Sequence, residues 1–144
     1  MNKKLLFVFT ILMMGLSACS GGTSGSVTGS QQSCRGGSGE VTCDGRIKKL
    51  SGTYTLDLET SYYREGYAVQ VEAYFTVESG QLQISLEAPD GTREETQAVP
   101  GEIATLFGLA TAESSFDEYA VPITLQAVNG DVEGIVFEIY LSQP

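Results

Sequence analysis

Histidine and tryptophan are both missing from this sequence of 144 residues. Without histidine neither a Ser-His-Asp nor a Cys-His arrangement can be built, so acid/base work near neutral pH would fall to carboxylates, to Lys48 or Lys49, or to tyrosines. The lack of tryptophan removes the strongest stacking residue for sugar rings. Cysteine is scarce, at three residues, which with no histidine to complete a ligand set disfavours a zinc site. Basic residues are scarce as well: eight Lys and Arg stand against eighteen Asp and Glu. From Glu94 to Pro144 there are nine carboxylates and no Lys or Arg. Phosphate binding needs Lys or Arg to displace counterions, so no nucleic-acid partner is expected. Solubility in a secreted protein accounts for such a charge; a basic partner or a cation is the alternative.

What is present begins with an address. Lys3 and Lys4 precede an apolar run from Leu5 to Leu16, too short to span a bilayer comfortably and shaped like a secretory h-region. Leu16-Ser17-Ala18-Cys19 closes it. This lipobox resembles the signal peptides of bacterial lipoproteins. The resemblance implies cleavage after residue 18, a diacylglycerol on the Cys19 sulfur, acylation (palmitate) of the new amino terminus, and thus a membrane partner through that lipid. The location implied is the cell envelope: the outer membrane in a cell with two membranes, otherwise the outer face of the plasma membrane. Loss of Lys3 and Lys4 leaves six basic against eighteen acidic side chains, a balance near −12.

Residues 19–45 read as a lipid-anchored, Gly/Ser-rich tether. From Ser20 to Ser33 only Val27 is apolar and no residue is charged, so little there repays the entropy of ordering a backbone. Within it, Cys34 and Cys43 are the two cysteines left after lipidation, and in an oxidising compartment they most simply pair as a local disulfide. Asp44-Gly45 reads as a turn. Residues 46–144 leave room for one domain of about 100 residues.

From Leu50 onward the period is two. Tyr54, Leu56 and Leu58 mark one strand; Tyr67, Val69, Val71, Ala73, Phe75 and Val77 mark a longer one. Ser79-Gly80 is expected to turn that strand into a hairpin with Leu82, Ile84 and Leu86. Ala88-Pro89-Asp90-Gly91-Thr92 is a turn signal, and Thr92 to Val99 suits a charged edge strand. Residues 103–110 fit a helix through Ile103, Leu106, Phe107 and Ala110, and a strand through Ile103, Thr105, Phe107 and Leu109; the β context favours the strand. A final hairpin is expected from Val121 to Ala127 and Ile135 to Leu141, with Asn129-Gly130 as its type I′ turn and Gly134 at a bulge.

Short strands and turns of this kind predict an all-β fold, a single antiparallel β-sandwich, either jelly-roll or Ig-like. The run Gly80-Gln-Leu82-Gln-Ile84-Ser-Leu86-Glu-Ala-Pro89-Asp90-Gly91-Thr92, with Glu118-Tyr119-Ala-Val-Pro-Ile123-Thr-Leu125 beyond it, resembles the bacterial pre-peptidase C-terminal (PPC) and related jelly-roll domains. That resemblance implies an accessory binding or folding module without catalysis. The sequence departs from the pattern in having no protease domain ahead of it, and Glu118 where the family has Gly.

Three constellations could carry chemistry. Asn129, Asp131 and Glu133 recur at every second residue like the first ligands of a calcium loop, and Asp117 and Glu118 could add ligands from across the fold; the later bidentate Glu is replaced by Tyr140, which favours a plain turn. Tyr62, Tyr63 and Tyr74 could form an exposed platform for a glycan or protein partner in the envelope. Pairs of carboxylates such as Glu94 with Glu95 could serve a small hydrolase, but a domain this size leaves little material for a cleft. The expected function is a lipid-anchored binding or envelope-structural module, no enzyme and without cofactor unless calcium binds. An acidic protein that captures a cationic extracellular protein is the alternative.

Overall fold

The computed structural model describes residues 24–37, 39–115 and 118–144; Cys19, the signal segment and Asp117 lie outside them. Among the described residues nine strands run in order: β1 (Ser26–Gly36), β2 (Glu40–Ser51), β3 (Thr53–Thr60), β4 (Ala68–Thr76), β5 (Ser79–Glu87), β6 (Arg93–Ala98), β7 (Ala104–Thr111), β8 (Glu113–Ser115) and β9 (Glu118–Ser142). All pairings are antiparallel. The fold is an all-β sandwich.

Its two layers share strands. The first layer has the order β1-β2-β9-β4-β7 and uses the carboxy-terminal half of β9. In the second, the amino-terminal half of β9 lies between β3 and β5, with β6 outside β5 and β8 beside the start of β9. Thus β9 passes from one layer to the other without leaving the ladder. The β2–β3 and β4–β5 segments cross alongside it. Strands that change layers at bends make a rolled sandwich, the jelly-roll alternative rather than the Ig-like one.

This crossing overturns both central hairpins expected from sequence. Ser79-Gly80 does not fold β5 back on β4: β4 pairs with β7 and β9, whereas β5 pairs with β6 and β9. Asn129-Gly130 likewise fails to close a hairpin, although Asn129 has the positive φ of 58° that such a turn requires. Turn chemistry permits a reversal but does not compel it; a corner between layers uses the same dihedrals. Gly134 does mark the bend, with φ of 63°, and a side chain there would collide with Glu78. Beyond this corner the inward phase slips by one residue: Ile135, Phe137, Ile139 and Leu141 are buried on one side, Val132 on the other.

The short hairpin between β5 and β6 is as expected. Ala88 N–H donates to Thr92 O at 2.8 Å, and Thr92 N–H donates to the Asp90 carboxylate at 2.9 Å.

The amino-terminal boundary also moves. Residues 26–36 and 40–45, expected in the tether, form β1 and the first half of β2, paired from Ser26↔Ser51 to Gly36↔Val41. A polar edge strand needs one neighbour for its hydrogen bonds and few apolar side chains. Val27 and Cys34 pack on the core, and the Cys34–Cys43 disulfide joins directly opposed residues. Gly45 is mid-strand rather than in a turn. On the inner face Gly45 opposes Phe137, Phe137 opposes Phe75, and Phe75 opposes Ala104. Two rings in one row, 5.8 Å apart, leave space only for small neighbours on each side.

Candidate functional site

Residues 104–110 lie in strand β7, with Ile103 just ahead of it, but with the face opposite to that expected. Ala104, Leu106 and Ala110 are buried, while Ile103 and Phe107 are 68% and 57% exposed and Leu109 is also exposed. A one-residue shift of register exchanges every side chain between faces. Beside Phe75 the crowded interior accepts Ala104, and with that phase Ile103, Phe107 and Leu109 turn outward.

They join a motif shared by β4 and β9; its third occurrence, Glu65-Gly66-Tyr67, lies before β4. Glu72-Ala-Tyr74 on β4 and Glu138-Ile-Tyr140 on β9 share the spacing Glu-x-Tyr. Antiparallel pairing sets Glu72 opposite Tyr140 and Tyr74 opposite Glu138, and alternation directs all four to the outer face of the first layer. The result is a square with phenols on one diagonal and carboxylates on the other. Within each strand the phenol donates to the carboxylate, Tyr74 to Glu72 and Tyr140 to Glu138. These bonds, with burial and carboxylate charge adding to them, push both phenols above their ordinary pKa. Both tyrosines therefore remain hydrogen-bond donors across the physiological range.

The aromatic rings extend the square to β7. Tyr74 stands edge-to-face with Phe107 at 6.4 Å and with Tyr140 at 6.3 Å between centroids. Two adjoining depressions flank this cluster, of about 740 Å³ toward β1 and β2 and about 630 Å³ toward Glu40 and Ser142. Tyr74, Glu138 and Ile103 line both, so they form one groove. Apolar rings for contact and carboxyl oxygens for hydrogen bonding equip it to bind.

Only part of the tyrosine platform expected from sequence is here. Tyr74 belongs to the groove, Tyr62 is 43% exposed with its hydroxyl on Gly36 O at 2.7 Å, and Tyr63 is 2% exposed with its hydroxyl on Leu141 O at 3.0 Å. Adjacent residues in a tight loop point apart, so Tyr63 anchors the loop to the core and the three make no common surface.

The calcium set is not assembled either. Asp131 is held by Lys49 at 2.9 Å and by the Ser51 hydroxyl at 2.6 Å. Glu133 opposes the same lysine. Ten residues of continuous strand separate Glu118 from Asn129, roughly 35 Å when extended, too far to share one cation. Among the described residues no group of three or more Cys, Asp or Glu converges on a metal position. Glu94 and Glu95, on the charged edge strand β6, are neighbours on opposite faces; Glu95 pairs with Arg93 at 2.6 Å.

No family model matches the sequence, and no curated protein is similar to it. Among solved structures the chain is similar to procruciferin, an 11S globulin from Brassica napus, at 14% identity and a TM-score of 0.34, covering 69% of this chain and 20% of that one. Peruvianin-I, a cysteine peptidase from Thevetia peruviana latex, aligns at 11% identity and a TM-score of 0.35, covering 73% of this chain and 51% of that one. A Lactobacillus farciminis oxalate decarboxylase aligns at 12% and 0.31, covering 83% of this chain and 32% of that one. The chain thus spans about half or less of the length of these proteins. Likeness at this level carries no argument about binding or activity, and the fold described above rests on its own strand pairing.

Proposed function

We propose that this protein is a lipid-anchored, extracytoplasmic binding module that acts through the groove on its first layer and has no catalysis of its own. The observation that carries the reading is the doubled Glu-x-Tyr square with Phe107 and Ile103 beside it. Large apolar side chains left exposed together on one face, beside a depression lined with acceptors, mark a surface that contacts something else. The Leu16–Cys19 lipobox supports the anchor. Acylation at Cys19 would tether the amino terminus, and thereby the β1 edge, to the envelope.

The reading is tested in cells with a photoreactive amino acid placed at Phe107 or, as control, at Glu59 of β3, in wild-type and Cys19→Ser backgrounds. Membrane association of the wild type, release of C19S, and adducts from position 107 but not 59 are expected. Membrane retention of C19S contradicts the anchor. Adducts confined to position 59 contradict the groove.

A further inference from the structure

Resting on that reading of the groove as the binding face, we propose that its occupant is an extended basic polypeptide segment, whose Lys or Arg side chains sit between the carboxylates and the rings. The depression toward Ser142 is lined by Glu40, Glu72 and Glu138 together with Tyr74 and Tyr140, and by no Lys or Arg. None of the three ion pairs among the described residues involves those glutamates. Arg46, on the neighbouring side of the groove, is turned to the Gln31 side chain at 3.0 Å. Glu72 and Glu138 each commit one oxygen to a phenol; each has a second oxygen with which to accept from an ammonium or guanidinium.

The aromatic component selects in the same direction. Ring faces attract cations, and Tyr74, Phe107 and Tyr140 form a contiguous edge-to-face chain beside the carboxylates. Spacing fits a strand-like ligand. Diagonal neighbours on paired strands, as Glu72 and Glu138 are, lie roughly 7 to 8 Å apart, close to the ~6.8 Å between alternate side chains of an extended peptide. A second copy of the chain would set these carboxylates against themselves, and a neutral glycan would cover them without compensating their charge. An acidic surface overall also steers a basic segment toward the groove.

The test is fluorescence anisotropy of mature protein, disulfide intact, with a labelled octapeptide of alternating Lys and Thr, a Gln-Thr octapeptide, and labelled chitotetraose as a neutral sugar probe. The Glu72→Gln/Glu138→Gln variant keeps an acceptor for each phenol and removes both charges. Glu59→Gln/Glu87→Gln removes the same charge from the second layer. The proposal expects the Lys peptide to bind the wild type, roughly tenfold weaker binding in the groove variant, and a change under about twofold in the control. Equal weakening in both variants, or equal binding of the Gln-Thr peptide, would overturn it. Binding of chitotetraose in place of the Lys peptide would overturn the occupant and leave the binding face standing, whereas no binding of any probe would remove both.

Discussion

Replacing Gly45 with alanine should destabilise the protein through a single ring. A Cβ at this position would lie 2.4 Å from Phe137 Cζ and 2.4 Å from the Gln31 carbonyl oxygen of β1, both well inside contact distance. Overpacking of this kind costs about 1 to 3 kcal/mol, and the reduced entropy of the unfolded chain returns about 0.5 to 1 kcal/mol. The net expectation is a loss of about 1 to 2 kcal/mol, read as a lower urea midpoint at unchanged m-value. Phe137→Leu alone should cost about 1 kcal/mol. Because leucine withdraws the colliding ring atom while the Gln31 carbonyl stays, the double variant should recover about 1 kcal/mol relative to the sum. Strict additivity, or a Gly45→Ala variant as stable as wild type, would refute the Gly45–Phe137–Phe75–Ala104 row and with it the register of the first layer.

Three further outcomes follow from the same structure. Reduction of Cys34–Cys43 opens a ten-residue loop, which should cost about 2 to 3 kcal/mol of stability and deprotect β1 amides in hydrogen exchange before those of β9. Leu106→Ala should cost about 2 to 4 kcal/mol in urea denaturation and Phe107→Ala under about 1, since only the first side chain is buried; the reverse order would put β7 in the opposite register. The Ser51 hydroxyl and Lys49 hold the Asp131 carboxyl below its ordinary 3.8. A depressed acid stabilises above its unfolded value and loses that contribution as pH falls through the folded one, so Asp131→Asn should flatten the acid limb of stability below pH 3.8. Lys49, raised above 10.5 by the same hydrogen bond and charge, makes the contribution fade on the alkaline side too; an unchanged acid limb in D131N would contradict the pair.

Period-two alternation made β3, β4, β5 and the carboxy-terminal half of β9 legible, since each has one buried and one wet face. Strand partners were not legible. A hairpin and a layer-crossing corner need the same residues at Ser79-Gly80 and Asn129-Gly130, and the choice rests with long-range packing that a local pattern does not contain. Strand β1 escaped notice because an edge strand with a disulfide needs almost no apolar residues. In β7 the apolar pattern names the wrong face: beside Phe75 and Phe137, which lie on other strands, the core takes Ala104 and the inward set follows its phase. Of the groove, the tyrosine pattern contains Tyr74, and alternation puts Glu72, Glu138 and Tyr140 outward. Their convergence depended on β4 lying beside β9, which the hairpin expectation concealed. The Glu-x-Tyr spacing of β4 and β9 is the available signal, and Glu65-Gly66-Tyr67, which shares it outside the square, shows that the spacing alone does not select the pair.

The groove is tested most directly by where a basic ligand touches the protein. Amide shift perturbation in isotope-labelled mature protein, titrated with the unlabelled Lys-Thr octapeptide, maps that contact residue by residue. Shifts concentrated at Glu72, Tyr74, Phe107, Glu138 and Tyr140, with Ile84, Thr96 and Leu125 of the second layer unmoved, are the predicted result. Shifts spread over both layers, or centred on β5 and β6, would contradict it.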